Sequence, residues 1–369
     1  MKIQVLKKDL QLCLNNLQKA IPSKPQLPIL SSILLETTEK QLVLSATDLY
    51  LGIKTKTFAK IENQGKIAVP GNIFKKIISS LNPGSITLEL KNNFLLVSSN
   101  KSEVKISTQG ADDYPNFPKI ESGVLPIPLE LIQNIEKYIS FSVSLDQTRP
   151  ILTSLLFNFN SDGLGVVSTD SFRLAVLNSS QSLSEKDLKF LLPGSVIGEI
   201  SRIAKQAAVK DVAMQISFEL KQVKFHINDT EIYARLIDGE FPPYQKIIPA
   251  SFLTELEVDG QLLTEEVKRA AVLCQDSSKI VRFLIKKNGI EIISSSATHG
   301  EYKGFIEVVV TGQIDQEVAF NVKYLLDFLN SVKPEKVYFG MNESLKPTMF
   351  KVDDNKDFFY VVMPFRVNN

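Results

Sequence analysis

Asp113-Tyr114-Pro115-Asn116-Phe117 and Gly239-Glu240-Phe241-Pro242-Pro243-Tyr244 share the order aromatic-proline-x-aromatic, with Pro115 and Pro242 separated by 127 positions. A period this long marks a duplicated domain rather than a solenoid. The segments on either side repeat as well. Asp9 to Leu17 places Leu10, Leu14 and Leu17 on one helical face. Leu30–Glu36 and Leu42–Asp48 read as strands. Ile67-Ala68-Val69-Pro70 opens a second helix carrying Ile73, Ile77, Ile78 and Leu81, ended by Asn82-Pro83-Gly84, and alternating strands run from Ile86 to Thr108.

The same order returns. Pro128 to Tyr138 is helical with Leu129, Ile132 and Ile135 together, and Arg149-Pro150-Ile151-Leu152 leads into a strand pair. Ser168-Thr169-Asp170 echoes Ala46-Thr47-Asp48, and Leu191-Leu192-Pro193 opens a helix with Ile197, Ile200 and Ala204. A third pass has a helix from Leu262 to Cys274, strands Val281–Ile285 and Ile290–Ser294, and Asn321 capping a helix with Leu325, Leu326, Leu329 and Val332. The reading is α+β: three similar domains, 1–120, 127–246 and 249–369, each with two helices and about eight strands.

Composition fits that reading. Hydrophobic residues make up 44% and charged residues 22% of 369, enough to build several cores. Cys13 and Cys274 stand far apart, which is neither a disulfide framework nor a metal motif and suits a reducing compartment. Lys2, Lys7, Lys8 and Asp9 break the apolar run that a secretory leader needs, and no stretch approaches the ~20 apolar residues of a membrane span. The expectation is a cytoplasmic protein with no membrane contact, and the sequons at Asn178, Asn228 and Asn342 then carry no weight.

Chemistry-bearing clusters are scarce. The two histidines, His226 and His299, fall in an alternating strand and a polar turn, and no phosphate loop, nucleophile elbow or metal-ligand spacing occurs. Asp48 and Asp170 invite comparison with metal-binding carboxylates. Their equivalent places in successive repeats instead assign each a local role, accepting backbone hydrogen bonds in a turn. No catalytic residue, metal or cofactor is expected.

Five motifs in register resemble the bacterial DNA polymerase III β subunit, the β sliding clamp family, from end to end. They are Leu27-Pro28-Ile29-Leu30, Arg149-Pro150-Ile151-Leu152, Thr169-Asp170-Ser171-Phe172-Arg173-Leu174-Ala175, Leu236 to Tyr244, and Val362-Met363-Pro364-Phe365-Arg366. The resemblance implies a DNA clamp fold and a head-to-tail homodimer forming a six-domain ring, with inner helices and outer antiparallel sheets. The implied role is a non-enzymatic processivity factor that encircles double-stranded DNA without reading its sequence. Implied partners, engaged through short linear motifs, are the polymerase III α subunit, the clamp loader, and other polymerases and repair proteins.

Charge placement agrees with a DNA-lining role. The proposed helices Lys7–Ala20, Gly71–Leu81, Pro128–Tyr138, Gly194–Lys210, Leu262–Cys274 and Asn321–Lys333 together carry +6 in a chain of net charge +1. The remainder is therefore negative. Phosphate contacts by Lys and Arg are sequence-independent and permit sliding. Lys24 and Arg149 match family DNA-contacting loops, while Lys75, Lys76, Arg202 and Lys205 follow from charge and helix placement. Pro70-Gly71-Asn72-Ile73 and Pro193-Gly194-Ser195-Val196 stand where relatives often have basic residues.

The resemblance also implies a peptide pocket. Its matching residues are Leu152, Thr169, Arg173, Leu174, Pro242, Ile247, Asn321, Tyr324, Leu345, Val361 and the run Val362, Met363, Pro364, Phe365, Arg366. Ser171 and Phe172 replace the usual Gly-His, Lys246 an Arg, and Phe365 a Met. The implied dimer edges are Val104 and Ile106 against Val272 and Leu273. Two other readings share the composition: a metal-dependent nuclease using Asp48 or Asp170, which turnover would reveal, and a β-rich protein scaffold that never loads onto DNA.

Overall fold

In the first repeat, strand β1 (Lys2–Leu6) runs straight into helix α1 (Lys7–Leu17). It is followed by β2 (Ser32–Thr37), β3 (Gln41–Thr47), β4 (Leu51–Phe58), β5 (Lys60–Asn63) and β6 (Lys66–Pro70). Next come α2 (Gly71–Ser80), β7 (Ser85–Lys91), β8 (Phe94–Ser99) and β9 (Ser102–Ser107). The second repeat is β10 (Leu125–Pro128), α3 (Leu129–Tyr138), β11 (Ser154–Asn160), β12 (Gly163–Thr169) and β13 (Arg173–Ser179). It continues with β14 (Leu188–Pro193), α4 (Gly194–Ala207), β15 (Asp211–Ser217), β16 (Gln222–Ile227) and β17 (Thr230–Arg235). The third begins β18 (Thr254–Asp259), α5 (Gly260–Leu273), β19 (Ile280–Lys286), β20 (Gly289–Ser296), β21 (Gly300–Glu307) and β22 (Val310–Gly312). It ends β23 (Gln316–Asn321), α6 (Val322–Val332), β24 (Lys336–Met341), β25 (Thr348–Val352) and β26 (Phe358–Val362). This computed structural model describes residues 1–100, 102–274 and 279–366.

The repeats are joined through their sheets. Two compact units result, Met1–Glu130 with Glu199–Leu236 and Leu131–Gly198 with Ile237–Asn369. The first holds a five-stranded sheet, β5-β1-β7-β8-β9, and an eight-stranded one, β10-β15-β16-β17-β4-β3-β2-β6. The second holds a nine-stranded sheet, β14-β11-β12-β13-β26-β25-β24-β18-β22, and a four-stranded one, β21-β20-β19-β23. All pairings are antiparallel. At β17·β4 the second repeat adds to the first, Tyr233 opposite Gly52; at β13·β26 the third adds to the second, Val361 opposite Leu174.

Among the described residues, each of the six α-helices follows its strand without a loop. Asp259 and Asn321 cap α5 and α6, their side chains accepting from the Leu262 and Lys323 amides. The helix expected over Gly71–Leu81 runs from Gly71 to Ser80, and the stretch that leads into it is a strand. Ile67 to Pro70 is strand β6, paired with β2 so that Ile67 lies opposite Leu35 and Val69 opposite Ile33. The buried stripe of α2 is Gly71, Phe74 and Ile78, whereas Ile73 is 54% exposed. One residue of rotation on a helix that is apolar on two adjacent stripes decides which stripe is buried.

Leu30 and Ser31 likewise precede their strand. Pro28–Ser31 and Pro150–Thr153 are matching single 3-10 turns, each closed by the last residue's hydroxyl: Ser31 donates to the Pro28 carbonyl (2.7 Å) and Thr153 to Pro150 (2.8 Å). Both cysteines are buried, and burial pushes the Cys13 thiol up to about 11. His226 is an exposed residue of β16 and His299 sits in the turn before β21.

Candidate functional site

The Thr-Asp turn after β12 is the local frame of the candidate pocket. Thr169 Oγ1 accepts from the Ser171 amide (3.1 Å) and donates to the Arg173 carbonyl (2.6 Å). Asp170 Oδ1 accepts from the Phe172 (2.9 Å) and Arg173 (3.1 Å) amides. The turn after β3 is its copy: Thr47 accepts from Leu49 (3.0 Å), and Asp48 from Tyr50 (2.9 Å) and Leu51 (2.7 Å). Leu49 (φ 77) and Ser171 (φ 82) share the left-handed conformation that closes the turn. Both carboxylates therefore serve their own turns, as the repeat placement predicts.

The second copy goes further. Arg173 is 5% exposed, with Nε on Asp170 (2.8 Å) and Nη1 on Asp327 of α6 (2.7 Å). Its guanidinium lies over the Tyr324 ring at 4.7 Å. Burial opposes its charge, and Tyr360, Asp170 and Asp327 outweigh that cost, raising its pKa. Phe172 stacks on Tyr324 with centroids 6.5 Å apart and is 51% exposed, so the pair forms an aromatic surface above the ion-pair triad.

The chain's last strand completes the frame. Val362 pairs with Arg173 and Val361 with Leu174. Beyond the strand the Met363 amide donates to the Phe172 carbonyl (2.8 Å) and the Phe365 amide to Ala319 (2.7 Å). Leu174 and Val361 belong to a buried cluster with Leu156, Val167, Val176, Leu191 and Met349, against which Phe241, Tyr244, Ile248 and Phe252 pack. The segment carrying Pro242, Lys246 and Ile247 is thus anchored on the same floor, with those three side chains exposed.

The sequence-picked residues Thr169, Ser171 to Leu174, Asn321, Tyr324 and Val361 to Phe365 come together. Leu152 is buried in its 3-10 turn, where its carbonyl accepts from Ser144, while Leu345 and Arg366 are exposed in loop and tail. Sequence reasoning missed Asp327, Phe252 and Met349. Asp327 was legible as the i+3 neighbour of Tyr324 on α6; the other two arrive only through the sheet. Phe252 and Met349 also line a groove of about 480 Å³ over β18, β24 and β25, with Glu257, Tyr338 and Lys351.

The basic candidates divide. In the first unit Lys75 and Arg202 converge: burial, then Arg202, lowers the Lys75 pKa. Lys75 also bonds Gln18, and Arg202 is held by Glu199 (2.9 Å) and reaches the Asn15 carbonyl (3.5 Å) and Asn16 (3.4 Å). Lys24, Lys76 and Lys205 are exposed. Lys7, at the start of α1, caps the end of α2 by donating to the Ser79 (3.1 Å) and Leu81 carbonyls. In the second unit Arg149 pairs with Asp146 (2.9 Å) and reaches Ser171 (3.4 Å). Of the edge candidates, Val272 is exposed and Val104 and Leu273 half-buried. Ile106 is buried in its own sheet, which leaves only its backbone for a partner.

Among the described residues no group of three or more His, Cys, Asp or Glu is placed to hold a metal, and no helix is long and apolar enough to cross a membrane. Three α+β repeats chained edge to edge, with the Asp48 and Asp170 carboxylates closing turns and an aromatic surface beside the last strand, have the architecture of a DNA clamp. The families described as DNA polymerase III beta subunit N-terminal, central and C-terminal domain match residues 1–118, 127–243 and 245–366. The Haemophilus influenzae beta sliding clamp is 26% identical over 370 residues, all of both chains. The Thermotoga maritima DNA polymerase III beta subunit structure superposes with a TM-score of 0.92 at 28% identity, again over all of both chains. The sliding clamp of Pseudomonas aeruginosa bound to griselimycin gives 0.90 at 26%, over all of both. The chain belongs to the DNA polymerase III beta subunit family, the beta sliding clamps: it is a processivity factor of DNA replication and not a catalyst.

Proposed function

We propose that two copies of this chain close head to tail into a ring around duplex DNA, and that the pocket beside Phe172, Tyr324 and the chain's last strand takes the tail peptides of polymerases and other partners. One observation carries the ring. Each repeat contributes two half-sheets, one ending in β9, β17 or β26 and the other in β4, β13 or β21. Inside the chain β17 is joined to β4 and β26 to β13. That leaves β9 and β21 as open edges of the same two kinds. Pairing β9 of one copy with β21 of another repeats the junction already used twice and closes both edges. The domain bounds of this reading are 1–120, 127–246 and 249–369, and the compartment is the cytoplasm.

In the ring, Lys24, Lys75, Lys76, Arg149, Arg202 and Lys205 contact phosphate without reading bases. Lys75 and Arg202 support this: both reach the C-terminal end of α1 and the turn after it, Lys75 at Gln18 and Arg202 at Asn15 and Asn16, and a phosphate there would meet two cations. Arg202 and Arg149 contribute less than the lysines, since Glu199 and Asp146 already hold them.

The pocket reading is supported by its chemistry, an apolar floor of Leu174 and Val361 under an exposed aromatic face, with Asn321 and Arg366 at the margin. The partners are the polymerase III α subunit, the clamp loader, and other polymerases and repair proteins. The decisive experiment loads the protein onto nicked circular duplex with a clamp loader and ATP, then linearises the circle. Release on linearisation is expected, and equal persistence on linear and circular DNA overturns the ring. For the pocket, Met363→Ala with Phe365→Ala abolishes binding of a polymerase tail peptide by fluorescence anisotropy and leaves the dimer intact; unchanged affinity moves the site elsewhere.

A further inference from the structure

The junction that carries the proposed pocket occurs a second time, with the same wiring. Tyr233 lies opposite Gly52 as Val361 lies opposite Leu174. The Arg235 amide donates to the Tyr50 carbonyl at 2.8 Å, as Met363 does to Phe172 at 2.8 Å. The Lys56 amide donates to Asp229 at 3.1 Å, as Asn178 does to Asp357 at 3.0 Å. With the copied Thr-Asp turn and the linker prolines Pro115 and Pro242, Tyr50 is the counterpart of Phe172 and Phe117 of Tyr244.

This first junction also encloses a groove. Its volume is about 100 Å³, and Thr47, Leu49, Tyr50, Pro115, Phe117 and Tyr233 are among its walls. Gly52 shapes it: a Cβ there would come within 2.6 Å of the Phe117 ring, so its absence lets that ring tilt in, edge-on to Tyr233 with centroids 5.1 Å apart. The space left suits one aliphatic side chain. The rim is apolar, with Leu49 39% and Tyr50 56% exposed, where the second junction has Ser171 and Phe172.

Beside the buried Arg173 of the second junction, whose place Leu51 takes in the first, an exposed charge distinguishes the two grooves. Arg235 lies directly opposite Gln222, a groove residue, and two residues from Tyr233 on the same strand face. It is exposed and has no ion-pair partner among the described residues. At the second junction Met363 takes its place.

We propose that the first junction is a second docking groove, for an extended segment of a partner protein that presents one large aliphatic side chain next to a carboxylate. The aliphatic group enters between Tyr50, Phe117 and Tyr233, and the carboxylate meets Arg235. The ligand class rests on the peptide reading of the second junction; the location does not. Duplication supplied two equivalent junctions, and the exchange of Arg235 for Met363 gives them different selectivity.

The test uses the full chain, with leucine and valine methyls labelled for NMR, and two probes, N-acetyl-Leu-Asp-amide and N-acetyl-Leu-Asn-amide. The Leu-Asp probe is expected to shift the Leu49 methyls with a dissociation constant on the order of 1 mM, as befits a single anchor. The Leu-Asn probe binds about fivefold more weakly. Arg235→Gln removes the difference between probes, and Tyr50→Ala weakens both. Met363→Ala with Phe365→Ala leaves all of these shifts in place, so failure of the second-junction reading is seen separately. No response of Leu49 at probe on the order of 10 mM, equal binding of the two probes, or shifts confined to Leu174 and Val361 each overturns the proposal.

Discussion

Replacing Arg173 by Met should loosen the end of β13 and the last strand of the chain, and the duplicated turn supplies its own control. The substitution keeps an unbranched side chain of similar reach but removes the charge between Asp170 (2.8 Å) and Asp327 (2.7 Å). Breaking a buried ion pair by deleting one partner costs about 3–5 kcal/mol, because the other charge stays buried. Here the lower end applies. Asp170 keeps two backbone donors and Asp327 keeps Lys323 at 2.6 Å. A loss of about 3 kcal/mol in local opening corresponds to roughly 100-fold faster amide exchange.

The control is Leu51→Met, at the equivalent place of the first repeat, where Asp48 caps the turn with no arginine. A volume-conserving apolar exchange there costs less than about 1.5 kcal/mol. Hydrogen exchange by mass spectrometry on segments 170–175 and 358–362, compared with 48–53 and 230–234, reads both. Adding Asp170→Asn to Arg173→Met should restore part of the protection by removing an unpaired charge. If Arg173→Met accelerates exchange less than threefold, or no more than Leu51→Met, the triad does not hold this junction and the reasoning fails.

Three further outcomes are expected. Leu273→Ala with Val272→Asp at the exposed end of α5 gives monomers, and a dimer mass by light scattering contradicts the assigned edge. Gly260→Ala should lower the melting temperature well beyond Gly71→Ala, because a Cβ at 260 would lie 2.0 Å from the Pro334 carbonyl oxygen whereas at 71 it first meets the end of Ile21 at 3.0 Å. The first costs about 2 kcal/mol or more, and equal melting temperatures would refute it. Lys137 of α3 meets Asp354 at 2.8 Å, and Tyr138 donates to the same oxygen at 2.9 Å. Although burial opposes it, these partners lower the Asp354 pKa and raise that of Lys137. The contact therefore stabilises fully above the ordinary aspartate value of 3.8 and is lost as pH falls below it; on the alkaline side it is lost as pH rises past 10.5. Exchange in α3 should rise at both extremes, and Asp354→Asn should abolish the acid limb; an unaltered acid limb in that variant refutes the assignment.

The repeats were legible because duplication leaves local chemistry in place. Thr47-Asp48 and Thr169-Asp170 form the same turn, and Pro28–Ser31 and Pro150–Thr153 the same 3-10 turn, since each is closed by hydrogen bonds within a few residues. Helix faces were legible only where one stripe was apolar. On α2, Ile73 and Phe74 compete, and the neighbours of Phe74 decide. The residues proposed for the pocket came through motifs in register. Phe252 and Met349 did not, because their relation to Leu174 exists only across strands distant in the chain, and Asp327, though three residues from Tyr324 on α6, shows its tie to Arg173 only in the fold.

By itself, then, the sequence determined the threefold plan, the capped turns, the helix-bearing segments and the shortage of catalytic groups, all set by short-range periodicity and hydrogen-bonding chemistry. The tertiary structure alone decided that the repeats fuse through β17·β4 and β13·β26, that β9 and β21 are left as sheet edges, and that Arg202 is clasped by Glu199 while Arg235 has no ion-pair partner among the described residues. Strand order and charge pairing depend on which distant edges meet, and backbone hydrogen bonding is indifferent to side-chain identity, so no local pattern encodes them.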